Sequence, residues 1–138
     1  MLVTKTEIKV RFSEVDSMRI LWHGHYIKYF EDGREGFGQK HNLGYLHVYE
    51  HGYMTPVVKV DCQFKRPVKY GDKVMIETTY VDSKAAKIKF TYKIYNKDTG
   101  MIYATGSSEQ VFLDERDQLY LTIPPFFADW KKQHGLTN

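Results

Sequence analysis

Two periodicities run along the chain. Over residues 4–12 apolar and polar side chains alternate: Ile8, Val10 and Phe12 share one face, Lys9 and Arg11 the other. Alternation with period two marks a half-buried strand. From about His23 to His41 the period changes. Tyr26, Phe30, Gly33 and Phe37 recur at helical spacing and predict one long amphipathic helix. A polar loop, residues 13–22, joins the two elements. Gly33, Gly36 and Gly38 are unusual inside a helix, where each costs about 0.8–1 kcal/mol relative to Ala. They imply that something packs very close to this helix, or that it is bent. Asn42-Leu43-Gly44 then supplies residues suited to a left-handed cap.

Beyond a short helical turn at 45–52, the alternation returns. Val58, Val60, Cys62 and Phe64 predict the inward face of a second strand, ended by Pro67. Residues 73–81 and 87–95 read as strands, with Val74, Ile76 and Tyr80, then Ile88, Phe90, Tyr92 and Ile94, on their inner faces. Asn96 to Gly100 forms a hairpin loop, and residues 101–113 a last long strand. Pro124 and Pro125 suit the first turn of a C-terminal helix, with Phe126, Phe127 and Trp130 as its apolar face. Strand, helix, then four antiparallel strands give an α+β layer: a five-stranded antiparallel sheet wrapped around one long helix. No repeat or linker divides the chain, so residues 1–138 read as one domain. An open sheet edge invites pairing with a second copy.

Composition narrows the picture in a few places. Eleven Tyr and eight Phe favour a β-rich body or a lined apolar channel. The net charge of +3 is mild and its Lys residues are scattered, which argues against a nucleic-acid partner. A single cysteine, Cys62, excludes an intrachain disulfide. With no apolar leader and no run of about 20 apolar residues, neither secretion nor membrane insertion is expected. The expected setting is reducing and cytoplasmic.

Candidate chemistry concentrates in the loop. Asp16 lies seven residues before His23, where the helix is expected to begin. A helix start offers free N–H groups able to hold a developing oxyanion. A carboxylate beside it offers a base or a nucleophile. A loop Asp is more commonly the acceptor of an Asx-turn, so residue chemistry alone favours that reading. Five of six histidines fall between residues 23 and 51, but their spacing makes no zinc pattern, and no metal is expected. Glu31 and Arg34 read as an ordinary helix-surface pair. Trp22, Tyr26, Tyr29 and Phe30 read first as core, and second as the lining of an acyl pocket.

The order Arg11-Phe12, Asp16, His25-Tyr26, Phe30-Glu31, followed by the Tyr70-Gly71-Asp72 turn after Phe64-Lys65-Arg66-Pro67, resembles the hotdog-fold acyl-CoA thioesterases of the 4-hydroxybenzoyl-CoA thioesterase-like branch. The resemblance spans roughly residues 5–125. It implies a hotdog fold and hydrolysis of acyl-CoA to free acid and CoA, without a metal or redox cofactor. Asp16 is then the nucleophile or general base, and the helix start at His23 and Gly24 polarises the thioester carbonyl. His25, Tyr26 and Arg19 would contact substrate, and Lys65 and Arg66 the phosphates of CoA. The pocket would lie between subunits of a homodimer or homotetramer. Three positions depart from the family: Arg19 replaces a usual Gly, His25 a usual Asn, and Gly33 a usual Ala. A bulky Arg19 would narrow or charge the pocket mouth. Competing readings are a thioesterase acting on acyl carrier protein, a non-catalytic acyl-thioester-binding protein, and a hydratase using Asp16 with a nearby histidine.

Overall fold

The computed structural model describes residues 2–136. Five strands form one antiparallel sheet: β1 (Val3–Lys9), β2 (Val57–Phe64), β3 (Lys73–Val81), β4 (Lys87–Asn96) and β5 (Ile102–Leu113), in the order β1-β3-β4-β5-β2. A two-residue strand, β6 (Leu119–Tyr120), pairs with the end of β5 and extends the expected set. The long helix α1 (His25–His41) crosses the sheet and touches β1, β2, β3 and β4. Contacts with strands at both edges mean that the sheet wraps the helix, the α+β hotdog architecture. A short α2 (Tyr45–Glu50) follows, and α3 (Pro125–Gln133) closes the chain. None of these helices is long and apolar enough to cross a membrane.

Packing explains the helix sequence. Phe30 and Phe37 are fully buried, against Tyr92 and Phe90 of β4. Each contributes about 1.5–3 kcal/mol by leaving water. Gly33 lies against β3 and Gly36 against β1. A methyl group there would collide with Thr78 Oγ1 on β3 and Thr6 Oγ1 on β1. The helix therefore gives up propensity in exchange for close contact. It ends as the sequence predicts: Asn42 is left-handed (φ 58°) and Leu43 N–H donates to Gly38 O at 2.9 Å.

The C-terminal helix is pinned by a buried charge. Lys131 is wholly inaccessible, and its Nζ donates to Ser83 O at 2.7 Å and pairs with Asp82 at 3.1 Å. Trp130 Nε1 donates to His41 O at 2.7 Å, fixing α3 against the end of α1.

Three expectations need correction. The helix begins at His25 with Gly24 as its N-cap, two residues later than expected. The first strand stops at Lys9, and a single 3-10 turn at Phe12–Glu14 rotates Phe12 outward, where it is 74% exposed and meets Tyr70 edge-on. In β2, the predicted inward set Val58, Val60, Cys62 and Phe64 is exposed except for half-buried Cys62. The reason is position: β2 is the edge strand beyond β5, and α1 packs mainly on β1 and β3 rather than on it.

Candidate active site

The loop between β1 and α1 is a small hairpin. Val15 bridges Leu21, Asp16 N–H donates to Ile20 O at 2.9 Å, and Trp22 N–H donates to Glu14 O at 3.0 Å. Its second arm is stitched to the segment after β2, where Leu21 N–H meets Val68 O at 2.7 Å and Ile20 bridges Lys69. Arg19 occupies the tip in the left-handed region, φ 65°, and its N–H closes the turn on Asp16 O at 2.9 Å. That is a conformation glycine adopts without strain. Arg19 keeps the turn, and its side chain is exposed.

Asp16 is half-buried at the start of that turn. Its Oδ1 accepts the N–H of Met18 at 2.8 Å, an Asx-turn. Among the described residues nothing bonds to Oδ2. The turn role and an available carboxylate oxygen therefore coexist in one side chain.

Glu14, two residues earlier, went unrecognised in the sequence reading. Its carboxylate is buried, and Oε1 accepts both Arg11 N–H at 2.8 Å and Tyr29 O–H at 3.0 Å. The Lys28 ammonium stands 4.0 Å from Oε2. Glu14 thus joins the strand end and the hairpin to the first turns of α1. Burial, then the charge of Glu14, pushes the Tyr29 hydroxyl far up, so it remains a donor. The three-residue offset from Arg11 to Glu14 has the spacing of a capping box, but Arg is not a capping residue, so no local pattern marked Glu14.

The helix start is open. His25 N–H and Tyr26 N–H are taken by Trp22 O and His23 O, at 3.0 and 3.3 Å. The preceding N–H groups, of His23 and Gly24, have no acceptor among the described residues. Gly24 lies under the Trp22 ring, which leaves no room for a Cβ. Trp22 is half-exposed and also touches the rings of His23 and His25, with centroids 4.8 and 5.5 Å away. Tyr26 is buried, and its hydroxyl accepts Val68 N–H at 3.2 Å, so its first role is to hold the segment that braces the hairpin.

Phe64, the last residue of β2, packs edge-on against Tyr26 and His23, with centroids 5.0 and 6.4 Å away. Lys65 and Arg66 follow directly, both exposed, and among the described residues no carboxylate lies within 4.0 Å of either side chain. Cys62 is no rival nucleophile. Burial, with Asp61 beside it, pushes its thiol up to about 11, so it is protonated at neutral pH. Among the described residues no three His, Cys, Asp or Glu side chains gather as metal ligands.

A cavity of about 670 Å³ opens between the C-terminal half of α1, α2 and the beginning of β2, within the size range of ligand pockets. Arg34, Gln39, His47, Val57, Phe90 and Gln110 are among its walls. The expected surface pair of Glu31 with Arg34 is absent, since the two side chains do not come within 4.0 Å. Arg34 turns instead to Tyr92, donating from Nη1 to its hydroxyl at 3.1 Å.

The family model of the thioesterase-like superfamily matches residues 10–131. The Bacillus subtilis protein YneP, assigned as an acyl-CoA thioesterase, is 29% identical over 130 residues, 94% of each chain. The acyl-acyl carrier protein thioesterase ATL3 of Arabidopsis thaliana is 25% identical over 112 residues, covering 81% of this chain and 59% of that one. Among solved structures, the DHNA-CoA thioesterase of Staphylococcus aureus superposes with a TM-score of 0.86 at 26% identity, covering 98% of this chain and 90% of that one.

Proposed function

The chain belongs to the thioesterase-like superfamily, and from that premise we propose that it hydrolyses acyl-CoA thioesters to the free acid and CoA, using Asp16 and the amides ahead of α1. The observation that carries this reading is the pair of unbonded N–H groups at His23 and Gly24, beside a hairpin that presents Asp16 with one oxygen free. The thioester oxygen would sit on those amides, which strengthen their hold as negative charge develops on it. Asp16 then either attacks the carbonyl carbon, giving a mixed anhydride that water cleaves, or takes a proton from the attacking water. In both routes the C–S bond breaks, the thiolate of CoA leaves and is protonated, and water supplies the oxygen of the acid. The similarity to YneP and to the DHNA-CoA thioesterase supports CoA as the carrier. Lys65 and Arg66, cationic and unpaired next to Phe64, suit its phosphates.

The working unit in this reading is a homodimer or a tetramer built from dimers. β2 is an edge strand whose Val57, Val58, Val60 and Phe64 are all exposed, a surface that monomers rarely leave bare. It starts beside the 670 Å³ cavity at Val57 and ends beside the hairpin at Phe64. If two β2 strands pair antiparallel about a two-fold axis, the end of one lies on the start of the other. Each hairpin would then face its partner's cavity, giving a site shared between subunits. The lone, protonated Cys62 thiol suits a reducing, cytoplasmic setting.

A second reading, hydrolysis of acyl groups on acyl carrier protein, is favoured by the similarity to ATL3 and by the same basic residues. Thiol release from short, long and aromatic acyl-CoAs, and from the same acyl groups on a carrier protein, tests both. Release from CoA at the higher kcat/KM supports the first reading, a reversed ratio supports the second, and no release from either refutes both.

A further inference from the structure

Arg34 is a half-buried cation whose hydrogen bonding is nearly unused. Of the five N–H donors of a guanidinium, one is engaged, by the Tyr92 hydroxyl. Among the described residues no carboxylate lies within 4.0 Å of it. The arrangement beneath it is rigid. The Tyr92 hydroxyl is 2.5 Å from Ser108 Oγ, both residues are buried, and the Phe30 ring stacks on Tyr92 with centroids 4.3 Å apart. One side of the guanidinium is therefore anchored to the sheet through Tyr92, and Arg34 is also part of the wall of the 670 Å³ cavity. Two glutamates, Glu31 and Glu35, line the same cavity, but both are exposed, whereas Arg34 stands deeper. A half-buried guanidinium with four of its five donors unbonded is able to take an anionic partner. A fixed planar fork is the geometry that binds a carboxylate with two parallel hydrogen bonds.

We propose that this cavity receives the acyl portion of the substrate and that Arg34 recognises a carboxylate at its far end, so that the preferred substrates are thioesters of dicarboxylic acids. This rests on the thioesterase reading above, with the cavity of one subunit facing the hairpin of its partner, and assigns its acyl class. Arg34 is a specificity residue here. Gln39 and Gln110, neutral walls of the same cavity, add polar contacts along the acyl chain.

The experiment compares adipoyl-CoA with hexanoyl-CoA, and suberoyl-CoA with octanoyl-CoA. The members of each pair have the same chain length and differ in the terminal carboxylate. The unvaried protein is expected to favour the dicarboxylic member by at least about tenfold in kcat/KM, the discrimination expected of a charge-assisted bidentate contact. In Arg34→Met that ratio is expected to fall below one, and in Arg34→Lys to recover in part, because the charge returns without the fork. Calorimetric binding of the thioether analogues of adipoyl-CoA and hexanoyl-CoA reads the same preference without turnover. It also confirms that each variant is folded. A ratio near one in the unvaried protein, or a ratio unchanged in a folded Arg34→Met, overturns the assignment of Arg34. If no thioester is hydrolysed, the thioesterase reading fails, and the calorimetric preference alone decides whether Arg34 selects a carboxylate.

Discussion

Replacing Glu14 with Ala removes the clamp between hairpin and helix, and its cost can be worked from the contacts. Two donors lose their acceptor: the Arg11 amide, 2.8 Å away, and the Tyr29 hydroxyl, 3.0 Å away and buried. Hydrogen bonds to a charged group contribute about 1.5–3 kcal/mol each. Against that, the folded state no longer has to bury a carboxylate, which offsets part of the loss. The net expectation is a destabilisation of about 2–4 kcal/mol, at the upper end of ordinary substitutions. Tyr29→Phe removes one of the two bonds and should cost about 1.5–3 kcal/mol. Because the residues share a bond, Glu14→Ala and Tyr29→Phe should not add, and a coupling of about 1–2 kcal/mol is expected from the double-mutant cycle. Glu14→Gln keeps an acceptor oxygen and should recover at least half of the stability. Guanidinium unfolding at constant m-value measures all five proteins, the unvaried one included. Additive costs, or a Glu14→Ala protein as stable as the unvaried one, would refute the clamp. A folded Glu14→Ala protein should also lose kcat more than it raises KM, because Asp16 sits two residues from the clamp.

Three further outcomes follow from other parts of the fold. Gly33→Ala should destabilise by about 1–2 kcal/mol in thermal unfolding, because the clash with Thr78 Oγ1 outweighs the roughly 1 kcal/mol gain in helix propensity. His41 is held below the ordinary histidine range, first by burial and then by Lys40. The unfolded chain therefore binds this proton more readily than the folded one. Its contribution is present above about pH 6.5 and is lost as pH falls through the lower folded value. Stability curves between pH 7.5 and 5 should slope less in His41→Leu, and an unchanged slope would contradict this. If β2 pairs with its copy as proposed, the unvaried protein should sediment as a dimer at micromolar concentration and Val60→Lys as a monomer. A variant that still sediments as the dimer would place the interface elsewhere.

Much of the fold was legible because single elements carried unambiguous signals. The period-3.6 face of Tyr26, Phe30 and Phe37 is buried as expected, and the glycines among them met threonines on the sheet. Asn42 and Pro124 marked helix ends through backbone preferences that need no tertiary information. What remained hidden depended on neighbours. The alternation of β2 resembles that of a central strand, and only the strand order reveals an edge with its apolar residues exposed. Phe12 continued the alternation of β1 but followed the end of pairing at Lys9. In the site, Asp16 and the helix start stood out by spacing. Glu14 did not, because its partner Tyr29 is fifteen residues away. Arg34 looked like the partner of Glu31 three residues before it, whereas its bond goes to Tyr92, fifty-eight residues away. Local patterns reveal local bonds; these two are set by packing.

In the proposed reaction Asp16 performs the chemistry. The most direct measurement is steady-state thiol release by Asp16→Asn on the best acyl-CoA of the panel, beside the unvaried protein. Asparagine retains an oxygen for the Met18 amide, so the turn and the fold should persist. If Asp16 is the base or nucleophile, kcat should fall by at least about 100-fold, the usual contribution of a positioned base, with little change in KM or melting temperature. A folded Asp16→Asn protein that turns over at more than half the native rate would contradict it and return Asp16 to the role of a turn residue.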